Sequence, residues 1–219
     1  MRIRIKFTKN EIVKYLGHLD IMRTFQRNFN RANVKMTYSE GFNPHQKMSF
    51  ALPLGVGISS QGEYMDAEIS DGQDLSEICK RLNEVSGLGF NILSVRQLQE
   101  NAEKGMAAVK YASYEVHFLK EYKLNLKAYL DRPQIMIQKK TKTGIKDVDI
   151  KPMIHKFTFE GNTLYVLMQA GSENNMKPEL IAADLMAFHN FEFQRDQINV
   201  IRLDLFAENF IPLIDYQTL

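Results

Sequence analysis

Arg2-Ile3-Arg4-Ile5-Lys6-Phe7-Thr8 alternates basic or polar with apolar side chains without a break. A period of two puts Ile3, Ile5 and Phe7 on one face and Arg2, Arg4, Lys6 and Thr8 on the other, the pattern of a half-buried strand. Past Gly17 the period becomes helical. Over residues 18–33, Met22, Phe25, Phe29 and Ala32 gather on one side, with Arg23, Arg27 and Arg31 opposite. Working outward, 34–39 reads as a short second strand. The Gly- and Pro-rich stretch 40–62 reads as loops with a hairpin around 48–52, and 63–69 as a further strand. Asp74 is placed to cap a helix with Glu77 three residues on. Leu75, Ile78, Cys79, Leu82 and Val85 carry its apolar stripe as far as Gly87. Residues 90–98 supply a fourth strand, so the order is βαββαβ.

Residues 99–109 are polar, contain Gly105 and lack apolar periodicity, as a linker would. The order then recurs. Ala112, Tyr114, Val116 and Phe118 alternate through a strand at 111–120, and 124–130 forms a short helix that must stop before Pro133. Residues 134–139 are a strand and 140–155 a Lys- and Thr-rich excursion. Residues 156–160 and 163–169 flank a Gly161-Asn162 turn. Pro178 opens a helix running to His189, and 197–206 is a last strand. The expectation is an α+β protein of tandem ferredoxin-like (βαββαβ) domains, one over residues 1–100 and one over 108–219.

Charge divides the same way. The formal net charge is only +2, with 28 Lys and Arg against 26 Asp and Glu, but it is a sum of opposed blocks. Residues 1–50 carry +7, 51–79 carry −6, 80–109 carry +1, 110–156 carry +6 and 157–219 carry −6. In each half the basic block covers the first β-α-β and the acidic block the later strand and helix. Such patterning bears on partners more than on fold. With 44% hydrophobic and 25% charged residues the composition is that of a globular chain. No apolar run approaches the roughly 18–20 residues of a membrane span, and the basic, alternating start is not a signal peptide, so a cytoplasmic location is expected. One cysteine, Cys79, excludes a disulfide framework and a Cys-based metal cluster within the chain.

Two features suggest binding. Arg23, Arg27 and Arg31, at i, i+4 and i+8, line one helix face. With Arg2, Arg4, Lys6, Lys35 and Lys47 they could present a basic surface to nucleic-acid phosphates, because the guanidinium fork donates paired hydrogen bonds. Equally, any soluble helix puts its charges opposite its apolar stripe. The turn-rich run Tyr38-Ser39-Glu40-Gly41-Phe42-Asn43-Pro44-His45-Gln46-Lys47 carries aromatic, imidazole and cationic groups. Tyr38, Phe42 and His45 are suited to stack on unpaired bases, and Lys47 to hold a phosphate. The alternative is a structural loop in which Phe42 plugs the core and Gly41 takes a positive φ.

A metal or acid–base cluster of His18, Asp20, His45, Glu63 and Asp66 is disfavoured. His18 and Asp20 diverge by about 200° on a helix, and HExxH, paired CxxC and DxD spacings are missing. Asp20 reads as an acid at the positive helix end, and His18 as a residue tucked inward or capping the first turn. Gly55-Val56-Gly57 is too short for a phosphate loop, and Cys79 sits on an apolar stripe as a core residue. No cofactor or metal is expected.

The run Tyr15-Leu16-Gly17-His18-Leu19-Asp20-Ile21-Met22-Arg23, with Arg27, Arg31 and Ala32, resembles a bacterial family. So do Tyr38 to His45, Met48-Ser49-Phe50-Ala51-Leu52-Pro53-Leu54-Gly55 and Glu63-Tyr64-Met65-Asp66. This is the radical SAM-linked domain of unknown function, found fused to a radical SAM protein or as a separate chain encoded beside one. The resemblance is specific over residues 1–70. It implies an accessory partner of a radical SAM protein, with any iron–sulfur cluster held by that partner, since such a cluster needs several thiolates. His18, Asp20, Glu63 and Asp66 are then family-motif residues of unassigned role. The chain also resembles, more distantly, the CRISPR-repeat-processing endoribonucleases, which would give His18 or His45 the part of a general base. Their glycine-rich loop would correspond to residues 170–175, where Gly171 stands alone. The aromatic signature of RNA-recognition motifs is missing too, for Tyr64 is the only aromatic in 63–69. Three expectations follow: a non-catalytic RNA- or ribosome-binding module presenting its ligand to a radical SAM partner, a metal-independent endoribonuclease, or a protein–protein adaptor.

Overall fold

The computed structural model describes residues 1–141, 144–171 and 175–219. The opening alternation forms β1 (Arg2–Lys9), and its Ile3, Ile5 and Phe7 are buried as expected. Helix α1 (His18–Arg31) follows, then β2 (Met48–Phe50), β3 (Ser59–Glu68), α2 (Leu75–Val85) and β4 (Ile92–Gln97). Asp74 caps α2, accepting hydrogen bonds from the Ser76 and Glu77 amides. The second half repeats the order: β5 (Tyr111–Phe118), α4 (Leu126–Leu130), β8 (Ile154–Glu160), β9 (Thr163–Gln169), α5 (Pro178–Phe188) and β10 (Ile198–Phe206). A one-turn helix, α3 (Gly105–Ala108), lies between the halves. A separate hairpin of β6 (Met136–Thr141) and β7 (Gly144–Asp149) occupies the Lys- and Thr-rich excursion.

The chain is an α+β protein built on one large, mostly antiparallel sheet, ordered β4-β1-β3-β10-β5-β9-β8 with β2 beside β3. Within each half the last strand lies beside the first, and the first beside the third. The halves join where β10 runs parallel to the start of β3, Ile201 and Arg202 standing opposite Ser59 and Ser60. The far end of the same β3 edge takes β2, with Met48 opposite Ala67. Gly62 permits this close approach, because a Cβ there would lie 2.6 Å from the Leu203 carbonyl. Two apolar clusters result. One packs Ile3, Ile5 and Phe7 against Phe25, Phe29, Ile78 and Leu82; the other packs Tyr114, Val116 and Leu164 against Ile181 and Leu185. No helix among the described residues is long and apolar enough to cross a membrane.

Three expectations need correction. Residues 34–39 form only isolated bridges, Met36 to Ile69 and Tyr38 to Gln46. Asn33 turns the chain with a left-handed φ of 51°, and the ladder on β3 goes to β2 instead. Residues 99–109 are not a free tether: Ala102, Gly105, Ala108 and Val109 are buried, and Arg2 donates to the Ala102 carbonyl at 2.8 Å. Most consequentially, the polar face of β1 is largely covered and does not form an open basic surface. The segment leading to the C-terminus and residues 102–105 cover it, so Arg4 is fully buried. Lys6 pairs with Asp204 at 2.7 Å. Alternation identifies two faces but does not reveal that a distant segment will cover the polar one.

Candidate nucleic-acid interface

Helix α1 starts at Gly17, which caps it through an extended backbone (φ −74°, ψ 161°) and has no side chain to offer. Asp20 lies in the first turn, at the positive end of the dipole, as its sequence position suggested. Ile21, Phe25, Asn28 and Phe29 turn inward. Arg23, Arg27 and Arg31 face solvent on the other side. What they touch is mostly neutral. Arg27 donates to Thr24 Oγ1 at 3.2 Å, and Arg31 to Asn28 Oδ1 at 2.6 Å and to the Val85 carbonyl at 2.7 Å. Arg23 approaches the Asp20 carboxylate at 3.7 Å, with both groups mostly exposed. A pair of that kind contributes about 0–1 kcal/mol. The row therefore remains an array of cations open to solvent, and among the described residues no carboxylate of the acidic second half pairs with it.

The loop at 38–47 adjoins this row. Its neck is closed by the Ser39 amide donating to the His45 carbonyl at 2.9 Å and the His45 amide donating to Ser39 Oγ at 3.1 Å. The hydroxyl also bonds His45 Nδ1 at 2.8 Å. Gln46 then reaches α1, its Nε2 donating to Asn30 Oδ1 at 2.8 Å and to the Gln26 carbonyl at 3.4 Å. Gln26 and Asn30 stand three residues beyond Arg23 and Arg27, so they neighbour those arginines on the helix surface. At the loop tip Gly41 has the expected positive φ, +106°, but Phe42 does not plug the core: its ring is fully exposed. Tyr38 and His45 are exposed as well. Lys47 is partly spent on Glu68, at 3.3 Å. An apolar ring held in water on a turn tied to the helix that carries the arginines can stack on a flat partner while exposed cations hold its charge.

The motif acids do different work. Glu63 accepts a bidentate pair from Arg202, 1% exposed, and Asp66 one from Arg4 at 2.7 and 3.0 Å. Asp66 also accepts the Gly105 amide at 2.7 Å, while Arg4 donates on to the Leu213, Tyr216 and Glu103 carbonyls. Arg202 donates to the Leu52 carbonyl at 2.7 Å. Lys9 is buried in the same region, donating to the Lys14 and Leu16 carbonyls, and desolvation holds its pKa below the usual lysine range. On the face that carries Arg4 and Asp66, opposite to that of Glu63, Tyr64 donates to Asp204 at 2.5 Å, and burial and then that carboxylate push its phenol far above the ordinary value. Of these, the Glu63–Arg202 and Tyr64–Asp204 pairs and the bonds from Arg4 to the Leu213 and Tyr216 carbonyls bind one half of the chain to the other. His18 neither tucks in nor caps; its ring stands edge-on to Phe50 with centroids 5.0 Å apart. Thus His18, Asp20, His45, Glu63 and Asp66 have separate neighbours. Among the described residues no group of three or more His, Cys, Asp or Glu could hold a metal.

A family model described as "Uncharacterized protein conserved in bacteria (DUF2344)" matches residues 2–178. The chain belongs to that family. No curated protein matches the chain. The part shared with DUF2344 takes in every candidate residue from His18 to Asp66, both the exposed row and the motif acids. Arg202, which completes the ion pair of Glu63, lies outside it.

Sequence reading missed Arg202 and Gln46. Arg202 carried a signal: in Ile198-Asn199-Val200-Ile201-Arg202 it shares the inward period of Ile198 and Val200, and a charge at an inward position requires a partner. Gln46 carried none, because its bonds to α1 depend on where the loop returns. Of residues 170–175, compared above with a glycine-rich loop, 172–174 lie outside the described residues.

Proposed function

We propose that this protein is a non-catalytic RNA- or ribonucleoprotein-binding module whose contact surface is the outer face of α1 together with the loop at 38–47. The observation that supports this reading is that, among the described residues, Arg23, Arg27 and Arg31 have no carboxylate within hydrogen-bonding distance, and Gln46 ties the loop that exposes Phe42 to the same helix. The arginines would contact phosphates, while Tyr38, Phe42 and His45 would meet unpaired bases. Strand order supports two ferredoxin-like units, since each half runs fourth-first-third-second, as βαββαβ units do. The resemblance of residues 1–70 supports a radical SAM protein as the partner to which bound RNA is presented, and a single cysteine suits an accessory role.

The test is RNA binding across a salt series. Affinity should fall steeply with salt, and Arg23→Glu/Arg27→Glu/Arg31→Glu should weaken it by a factor on the order of 100 or more while leaving the fold intact. Undetectable binding at low salt, or equal affinity in the triple variant, overturns the reading. Co-purification of a protein partner that survives nuclease treatment and depends on the same arginines would assign the surface to protein docking instead.

A further inference from the structure

The large sheet has two edge strands, β4 and β8, and they are finished differently. On β4 the Asn83 side chain closes one end, its Oδ1 accepting from the Ile92 amide at 2.7 Å and its Nδ2 donating to the Ile92 carbonyl at 2.9 Å. The other end is closed by the Leu219 amide, which donates to the Gln97 carbonyl at 2.9 Å. β8 has no such cover. The Asn162 carbonyl accepts from the Phe118 amide, so β9 turns Leu164 and Val166 to β5, and Thr163, Tyr165 and Leu167 to β8. Their partners Glu160, Thr158 and Lys156 therefore bond inward, and Phe157 and Phe159 direct their N–H and C=O groups away from the sheet. Among the described residues nothing bonds those groups.

An edge with open donors and acceptors is a template for another strand, and this one is complementary to itself. A bulge between Ile154 and Lys156 leaves Lys156–Glu160 as the regular run, and its midpoint is Thr158. Two copies laid antiparallel about a two-fold axis at Thr158 set Phe157 of each opposite Phe159 of the other. Those residues carry the outward N–H and C=O groups, so each such pair exchanges both hydrogen bonds. Phe157 and Phe159, half-buried against the second core, would also cover each other on the helical face. On the opposite face the same register sets Lys156 of each copy against Glu160 of the other. Both of these side chains are exposed, and neither forms an ion pair among the described residues. An axis at Phe157 would instead set Glu160 against Ile154. We propose that this protein forms a two-fold symmetric dimer by pairing β8 with β8 of a second copy, which joins the two large sheets into one. A strand of another protein would have to supply both charges in the right order, whereas a second copy has them by symmetry. The dimer does not depend on the RNA reading.

The test is sedimentation equilibrium of the nuclease-treated full chain from about 1 to 500 μM, since so short a pairing belongs with the weak interfaces. Wild type should pass from monomer to dimer across that range, and amide exchange at Phe157 and Phe159 should slow as the dimer forms. Lys156→Glu and Glu160→Lys change exposed residues, so each should melt near wild type. Each also places two like-charge pairs across the axis and should weaken dimerisation about tenfold or more. Mixing the two single variants should restore association, because every 156–160 pair between them is again opposite in charge. The double variant Lys156→Glu/Glu160→Lys should dimerise like wild type. The proposal is overturned by a monomer at every concentration, by a dimer indifferent to both reversals, or by reversals that neither mixing nor the double change rescues. A dimer whose exchange slows elsewhere than Phe157 and Phe159 also contradicts it. Slowing there only when another protein's strand is added would assign the edge to that protein and overturn the self-pairing.

Discussion

Arg4 and Arg202 at the seam between the halves, and Arg23, Arg27 and Arg31 on α1, are the same side chain under opposite conditions. The seam arginines are buried, each forked onto a carboxylate; Arg4 also donates to three backbone carbonyls and Arg202 to that of Leu52. Those on α1 are exposed and meet a hydroxyl, an amide, a carbonyl and one loosely placed carboxylate. In the first region the charge is consumed within the chain; in the second it is left for something outside. The net +7 of residues 1–50 therefore overstates the available basic surface, because Arg4 and Lys6 belong to the seam and Lys9 is buried against the Lys14 and Leu16 carbonyls.

The largest expected effect is on stability at the seam. Arg202→Ala leaves Glu63 charged, buried and unpaired, and should cost about 3–5 kcal/mol in urea melts. Replacing both partners, Arg202→Met with Glu63→Leu, should recover most of that loss. If Arg202→Ala melts like wild type, the contrast between the two sets fails. The triple α1 variant should behave oppositely: stability changes within about 0.5 kcal/mol at Arg23 and Arg27 and by about 1 kcal/mol at Arg31, which gives up its bonds to Asn28 and the Val85 carbonyl, while RNA affinity at low salt falls by a factor on the order of 100 or more. Phe42→Ala is a finer probe of the same surface. Its fully exposed ring contributes nothing to the core, so melting should be unchanged, while RNA affinity drops by about 1–3 kcal/mol if the ring stacks on a base.

A pH series sharpens the seam side. Burial raises the pKa of Tyr64, Tyr114 and Tyr129 in the folded protein. In the unfolded chain these phenols ionise near the ordinary value of about 10. Above that pH the unfolded state binds fewer protons, so stability is complete below it and falls as pH rises toward the folded values. Lys9, whose folded pKa is lowered, works in the opposite sense just below the ordinary lysine value, giving stability that rises with pH there. Tyr64→Phe should make the alkaline decline shallower in urea titrations between pH 9 and 11. An unaltered slope would show that Tyr64 does not hold its proton at the seam.

The sequence made local order legible and left burial at a distance illegible. The strand at Arg2–Lys9, the arginine-bearing helix and the Asp74 cap depend on neighbours within a turn or two, and they formed where period and capping placed them. The positive φ of Gly41 was readable for the same reason. Phe42 was not: an aromatic in a loop suits a core plug or an exposed contact equally, and only the return of Gln46 to α1 decides between them. Glu63 and Asp66 stood out as motif residues, but their partners Arg202 and Arg4 lie 139 and 62 residues away. Alternation put Arg4 on a polar face, and only the covering of that face by Leu213 and Tyr216 made it a buried ion pair.

The most direct test of the outward role of α1 is fluorescence-anisotropy binding of single-stranded RNA to wild type and to Arg23→Glu/Arg27→Glu/Arg31→Glu, from 50 to about 300 mM salt. Wild type should bind with an affinity that falls linearly in log–log form, and the triple variant, still folded, should bind weaker by a factor on the order of 100 or more at the lowest salt. Equal affinity and equal salt slope for the two proteins would contradict the account.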